Sequence, residues 1–453
     1  MLKIKRYLSL VLCLVLFFSM STITYAQSSV IVDNSEFFVD EETAKKAAIF
    51  HIIDTCHSDP DSPWNDGIIL NKSEYMYDFA DQLTAYLFYI SNLNNEPAGY
   101  IVINASKLGV PVIEFSQSKD SYFYEIQKLN EVTRSNSNKL YYLGGLDYYL
   151  ESENDEENVT VYDLSSPDLR QISETTMNEI QILYDTEKER SAEKIALSLS
   201  TQVLSKEVPN EESTLSYFSL WNAVETTEMP MRSSSPPTGD VEITDPSLYE
   251  SGYETYNIGN VDTVAYLNKD FHTTSALRYV NGVSYPGNCG PVAATNLMQY
   301  YKYRYDNKGW ECKIWIDSPE TTFVELCSYL PYPAIRDKGG TDTTTLSESL
   351  RSYALSRDDK WDSNYYNKCD FDIIKQEIHS GRPMIYNVFN HGHYEDHSMV
   401  AFAFREYVYS GFLGIKTYSR YLAVADGKVS TPNRYVHYDK SNCSVNTFFG
   451  TYY

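Results

Sequence analysis

Cys289 stands in the segment NCGPVAATN, where a loop is predicted to become a helix. The run 291–305 holds no glycine and no further proline, and its apolar residues share one helical face. A thiol just before a helix has a pKa below its usual value of about 8.5, because the helix dipole stabilises the thiolate. The sequence therefore predicts a nucleophile, with a buried structural cysteine as the alternative. The apolar residues of that face are Ala294, Leu297, Met298 and Tyr301.

His397 and Asp426 are the candidate partners of this thiol. His397 opens an apolar, strand-like run in DHSMVAFAF, and Asp426 follows the apolar run YLAVA, so both are expected at strand ends of one sheet. Together the three side chains suit acyl transfer: the thiolate attacks an acyl carbon, the imidazole moves the proton, and the carboxylate orients the ring. A structural histidine and a turn aspartate are the alternatives.

These motifs resemble papain-like cysteine peptidases, most closely the secreted bacterial branch that includes streptopain and domains similar to bacteriocin-leader peptidases. The resemblance covers roughly the last 190 residues and includes a third block, FDIIKQEIHSGRPMI, at 371–385. It implies an α+β fold with a papain-like two-lobed catalytic domain, in which a helical lobe carries Cys289 and an antiparallel β lobe carries His397 and Asp426. In that family these positions are nucleophile, general acid/base and imidazole-orienting residue.

One family feature is absent from the sequence. Papain-like enzymes usually have an oxyanion-hole glutamine six residues before the cysteine, and Val283 stands there. Asn281 and Asn288 are candidate replacements, and the backbone N–H of Cys289 is expected to supply one donor. Losing one side-chain donor typically lowers the rate by about 10²–10³ rather than abolishing it.

A histidine-rich segment, HGHYEDH, lies immediately before this strand-like run. His391 and His393 suggest a metal cluster, but their spacing does not match a known ligand motif, and zinc requires three or four correctly placed ligands. We therefore expect no metal and no cofactor.

The N-terminus and the composition indicate the compartment. Residues 1–26 combine basic residues, an apolar run and a small-residue cleavage site, as secretory signal peptides do. We expect a secreted, extracellular protein that is not held in a membrane after signal cleavage. The net charge of −25 argues against nucleic acid as a partner. Six cysteines remain after residue 26, none in C-x-x-C spacing, and disulfides are left open.

The chain is expected to divide into a pro-domain at 27–228, a linker with the maturation site at 229–245, and a peptidase domain at 246–453. The linker is rich in proline, serine and glycine. Upstream, a helix is predicted at 41–54 and strands at 85–90, 99–104 and 110–115. The segment GYIVINASK with PVIEFS resembles the α+β pro-domains of streptopain-like enzymes, which implies an intramolecular inhibitor. The alternative is a substrate-binding or surface-attachment domain that stays on.

The function expected from these features is a secreted cysteine endopeptidase, made as a zymogen, which hydrolyses protein or peptide substrates through a thioester acyl-enzyme. The same three residues would also serve an amidase or a transglutaminase-like acyltransferase. A third alternative is a non-catalytic surface-binding protein on a decayed peptidase fold.

Overall fold

The computed structural model separates two units, Met1–Phe38 and Val39–Tyr453, of which the second carries the principal helices and strands. This second unit combines a large, mostly antiparallel sheet with several helices, and the expected mixed α and β fold is confirmed to that extent. The residues described are 37–119, 123, 138–144, 148–153, 159–164, 170–182, 184–186, 188–189, 214–227, 240–260, 279–280, 283–284, 289–330, 342–357, 361–391, 394–410, 416–425 and 434–450.

The principal helices of this part are six in number. None of the helices among the described residues is both long enough and apolar enough to span a membrane. The six are α1 (Glu41–Ser58), α2 (Thr214–Thr226), α3 (Cys289–Asn307), α4 (Pro319–Tyr329), α5 (Thr343–Leu355) and α6 (Phe371–His379).

Nineteen strands are assigned in the same residues. The first nine are β1 (Ile68–Leu70), β2 (Glu74–Tyr77), β3 (Leu83–Asn92), β4 (Pro97–Asn104), β5 (Val112–Ser116), β6 (Asn138–Tyr142), β7 (Tyr148–Glu153), β8 (Val159–Asp163) and β9 (Arg170–Ile172). The others are β10 (Val241–Ile243), β11 (Thr255–Asn260), β12 (Tyr279–Val280), β13 (Val283–Ser284), β14 (Trp361–Asn367), β15 (Met384–His391), β16 (Tyr394–Ser410), β17 (Lys416–Ala425), β18 (Arg434–His437) and β19 (Cys443–Gly450).

Backbone pairing links seventeen of these strands into one sheet. From one edge the strands run β14, β19, β15, β16, β17, β18, β5, β4 and β3. The last of these, β3, pairs with both β1 and β2, while β11 pairs with the second part of β16. Among the described pairings only that of β2 with β6 is parallel. Strands from both ends of the chain therefore share one sheet.

The N-terminal elements agree with the sequence prediction. Helix α1 begins where Asp40 accepts a hydrogen bond from the backbone N–H of Thr43, and acidic residues follow in its first turn. Strands β3 and β4 form a hairpin in which Asn95 has a φ of 61°, a conformation that asparagine tolerates well. The expected strand at 110–115 is observed as β5. These predictions are confirmed.

Two large apolar cores contact the sheet. One contains α3 to α6 together with the first part of β16 and the end of β17. The other contains α1, β3 to β5, and three tyrosines from the remaining parts of β16 and β17: Tyr407, Tyr409 and Tyr421. Because β16 and β17 are long enough to contribute to both, each core rests on the same two strands.

Candidate functional site

Cys289 is the first residue of α3 and is partly exposed. Pro291 lies in the first turn, where its missing N–H costs no helical hydrogen bond. The predicted helix is confirmed, and its expected apolar face is completely buried. Burial extends further than predicted, because every residue from Gly290 to Tyr301 is buried. Helix α3 is thus surrounded by protein along three turns, and its dipole is directed at the thiol.

The other five described cysteines are buried. Burial raises the pKa of four of their thiols to about 12, which keeps them protonated at neutral pH. None of the six described cysteines is in a disulfide. Cys289 therefore differs from the rest of this set in exposure and in its position at a helix start. The four thiols with raised pKa are those of Cys56, Cys312, Cys327 and Cys369.

His397 is the fourth residue of β16 and has a relative exposure of only 4%. The sequence placed it at a strand end, and this was wrong, because β16 begins at Tyr394 and pairs with β15 on both sides of the histidine. Its cross-strand partner is Val388. The ladder fixes the backbone of His397 and therefore the side of the sheet on which its ring lies.

The strand pairing also shows which residues share the face of the sheet on which the His397 side chain lies. Val388 pairs with His397 on one strand and with Cys443 on the other, so these three residues share a face. Phe448 lies five positions after Cys443 on β19, and the alternation of a strand puts it on the opposite face. The hydroxyl of Tyr301, in the C-terminal part of α3, donates to the carbonyl of Phe448 at 2.6 Å. The ring centroids of Tyr301 and Phe448 are 6.2 Å apart, so that part of α3 packs on the face opposite to His397.

A buried polar network adjoins His397. The hydroxyl of Ser398 donates to Asn387 Oδ1 at 2.6 Å, and Asn387 Nδ2 donates to Asn446 Oδ1 at 2.7 Å. Asn446 in turn donates to the backbone carbonyl of Thr343, the first residue of α5, at 2.7 Å. The two asparagines are fully buried. This network ties the strand of His397 to the helical layer that contains Cys289.

A cavity of about 230 Å³ lies on the His397 face. Val388, Met399 and Tyr386 line it from β15 and β16. The facing wall comes from residues before the predicted linker, and Tyr142 and Tyr217 are among them. Sequence analysis missed this cavity, since its two walls are far apart in the chain.

Several predicted residues lie outside the described part of the chain. Asp426 is one of them, although Ala425 just before it ends β17 and pairs with Val400, three residues beyond His397. Residues 1–26, Asn281, Asn288 and His393, and the side chains of Val283 and His391, are likewise outside it. The backbone of Val283 is described and pairs with Val280 in a short hairpin before α3.

No metal site is found within the described residues, where no three His, Cys, Asp or Glu side chains are grouped closely enough to hold an ion. The network of Asn387 and Ser398 also escaped sequence analysis. A sequence signal for this network was present, because each of the two is a polar residue within an apolar strand pattern.

Comparison with known proteins gave no match to any family model, curated protein or solved structure.

Proposed function

We propose that this protein is a secreted cysteine endopeptidase in which Cys289 is the nucleophile, His397 the general acid/base and Asp426 the residue that orients the imidazole. The observation that carries the proposal is the contrast between Cys289, which is partly exposed at the start of a helix, and the other five described cysteines, which are buried. A thiolate at a helix N-terminus is stabilised, whereas a buried thiol is inert. The resemblance of the three sequence blocks to papain-like peptidases supports the same assignment.

In the proposed reaction the Cys289 thiolate adds to the carbonyl carbon of a peptide bond. The His397 imidazolium gives its proton to the leaving amine, which produces a thioester and a free amino terminus. The imidazole then takes a proton from water, whose oxygen attacks the thioester and releases the acid and the thiolate. The backbone N–H of Cys289 is the proposed oxyanion donor.

The position of His397 sets one condition on this chemistry. Its ring lies on the face opposite to Phe448, against which Tyr301 of α3 packs. The N-terminal end of α3 must therefore approach the imidazole from beyond the ends of the strands, as the two lobes of a papain-like cleft would allow. Support for this comes from the packing of α3 on β15 and β16, which pair up to His391 and Tyr394 just before His397.

The cavity supports the pro-domain part of the proposal. Residues that precede the predicted linker form one wall of the space beside Val388 and Met399, which share the face of His397. A substrate polypeptide cannot lie along this face while that wall is in place. We therefore propose that the N-terminal residues restrain the peptidase in the precursor.

The decisive test is thiol labelling of the purified protein. Iodoacetamide or an epoxide peptidase probe should label the wild type at Cys289, and Cys289→Ala should lose the label, while Cys327→Ala retains it. His397→Ala should slow labelling by at least about 10-fold, because the thiolate loses its cationic partner. Casein cleavage, measured after the N-terminal residues have been cut off and separated, should follow the same order.

The results of this labelling test distinguish the candidate functions from one another. Labelling of Cys289 with hydrolysis of peptidoglycan amides, or with amine transfer instead of casein cleavage, would favour an amidase or an acyltransferase. A Cys289 that reacts no faster than a free cysteine, and equally in His397→Ala, would refute the catalytic assignment and favour a binding protein.

A further inference from the structure

The two halves of the chain exchange strands across the predicted linker. We define the N-terminal half as the described residues from 39 to 227 and the C-terminal half as those from 240 to 450. Strand β10, which lies in the last part of the predicted linker (229–245), pairs with β1 of the N-terminal half, and β18 of the C-terminal half pairs with β5. Each half therefore supplies a strand to a ladder of the other.

Residues 240–254 are held to the N-terminal half by side chains as well. Asp240 accepts a hydrogen bond from the backbone N–H of Lys72 at 2.8 Å. The fully buried carboxylate of Asp54, on α1, accepts from the hydroxyl of Ser251 at 2.8 Å and from the N–H of Gly252 at 3.0 Å. The end of the predicted linker and the residues that follow it are thus fixed to α1 and β1.

A buried ion pair joins the halves at the β5 and β18 ladder. Arg434 donates from Nη2 to Glu114 Oε2 at 2.8 Å, and the side-chain exposures are 5% and 1%. Tyr100 donates to the other oxygen of Glu114 at 2.8 Å. Removing one partner from such a pair leaves an uncompensated charge in the interior, so separation of the halves has to hydrate both groups.

The apolar core that contains α1 is common to both halves. The His51 ring of α1 lies 5.7 Å from the ring of Tyr407 and 5.2 Å from that of Tyr421. Phe115 of β5 stacks on Tyr435 of β18 with ring centroids 4.8 Å apart. Separating the halves would expose these rings to water, which opposes dissociation.

We infer that the N-terminal half remains bound after the linker is cut, as a resident subunit of a nicked two-chain protein. The interface consists of the β1–β10 and β5–β18 ladders, the Glu114–Arg434 pair and the shared aromatic core. A cut between residues 228 and 239 would break none of these contacts. The wall of the cavity beside Met399 would then persist, and activation would require a second step that separates the halves. This holds whether or not Cys289 is catalytic.

The test uses the full chain with Cys289→Ala, which excludes self-cleavage, and a site for a specific protease inserted between residues 231 and 239. After cutting, the two fragments should co-elute in size-exclusion chromatography at micromolar concentration and remain together after dilution to the nanomolar range. They should separate only in denaturant.

Matched variants in the same chain test the assigned interface. Glu114→Ala should weaken association by at least about 10²-fold, since Arg434 loses its buried carboxylate partner. Glu242→Ala, at an exposed position of β10, is the control and should leave the association unchanged. If the Glu114→Ala chain does not fold, Ser251→Ala removes the hydroxyl that donates to Asp54 across the interface and should weaken association about 5- to 10-fold.

Two results would overturn the inference. One is immediate separation of the cut fragments in native buffer at micromolar concentration. The other is a fragment affinity that is the same in Glu114→Ala, Ser251→Ala and the control Glu242→Ala.

Discussion

Ser398 donates its hydroxyl to Asn387 directly across the β15–β16 ladder, at 2.6 Å and one residue from His397. Asn387→Ala would remove the hydrogen bonds of Asn387 to Ser398 and to Asn446, two residues that are buried. We expect a loss of about 1–3 kcal/mol in the free energy of unfolding, measured by urea denaturation. Asn364→Ala, at an exposed position of β14, is the control and should change it by less than about 0.5 kcal/mol.

The same variant tests whether the network also supports the candidate site. Because Ser398 adjoins His397, slower Cys289 labelling in a folded Asn387→Ala protein is expected. Equal labelling rates in wild type, Asn387→Ala and Asn364→Ala would limit the network to a structural role.

Asp54 and His51, three residues apart on α1, are expected to give opposite pH dependences. Burial raises the pKa of Asp54 from 3.8 to about 6, against the effect of its hydrogen bonds. The folded state then binds more protons than the unfolded state between these values, so Asp54 lowers stability as pH rises through this window. Asp54→Asn should remove an effect on the order of 2–3 kcal/mol.

His51 has the opposite effect on the pH dependence of stability. Burial, and secondarily Arg405, lowers the pKa of His51 from 6.5 to about 3. The unfolded state therefore binds more protons below pH 6.5, and stability is lost as pH falls. Urea denaturation from about pH 4 to 7 should show a steeper gain with rising pH in Asp54→Asn than in wild type. His51→Phe should show a loss instead, and parallel profiles for the three proteins would contradict both assignments.

The local pattern of apolar residues in the sequence predicts the helix and strands of the candidate site better than it predicts how they are arranged in space. Helix α3 and strand β16 follow from apolar periodicity and from the absence of breakers in their runs. The start of β16 was misplaced because Tyr394, Glu395 and Asp396 are polar or amphipathic, and they extend the strand only through pairing with β15. The pairing of β10 with β1 has no local signal, since strand partners are chosen by tertiary contacts.

The effect of an added Cβ can be compared at two glycines, Gly99 and Gly144, of which only Gly99 approaches the β5–β18 ladder of the interface. Both have positive φ values, 132° and 95°, so alanine should cost about 1–3 kcal/mol of strain at either position. A Cβ on Gly99 would also lie 2.0 Å from the carbonyl oxygen of Ser116, whereas nothing lies within 4 Å at Gly144. Ser116 pairs with Arg434. Gly99→Ala should therefore unfold at a clearly lower temperature than Gly144→Ala, and equal melting temperatures would contradict the close approach.

Val388 and Ile385 lie three residues apart on β15 and so on opposite faces of the sheet. Val388 borders the cavity of about 230 Å³, whereas Ile385 is completely buried in the core. Val388→Phe has space for the added ring and should change the free energy of unfolding by less than about 1 kcal/mol, while Ile385→Phe should cost about 1–3 kcal/mol through overpacking.

The filled cavity should also affect the proposed site selectively. With Val388 as the cross-strand partner of His397, a ring at position 388 would crowd the space beside the imidazole. We expect Val388→Phe to slow the reaction of Cys289 with a bulky epoxide probe more than its reaction with iodoacetamide, as mass spectrometry of the labelled peptide would show. If both reagents are slowed equally, the space beside Val388 does not determine how the larger reagent reaches Cys289, and the expected effect of the cavity on the site is refuted.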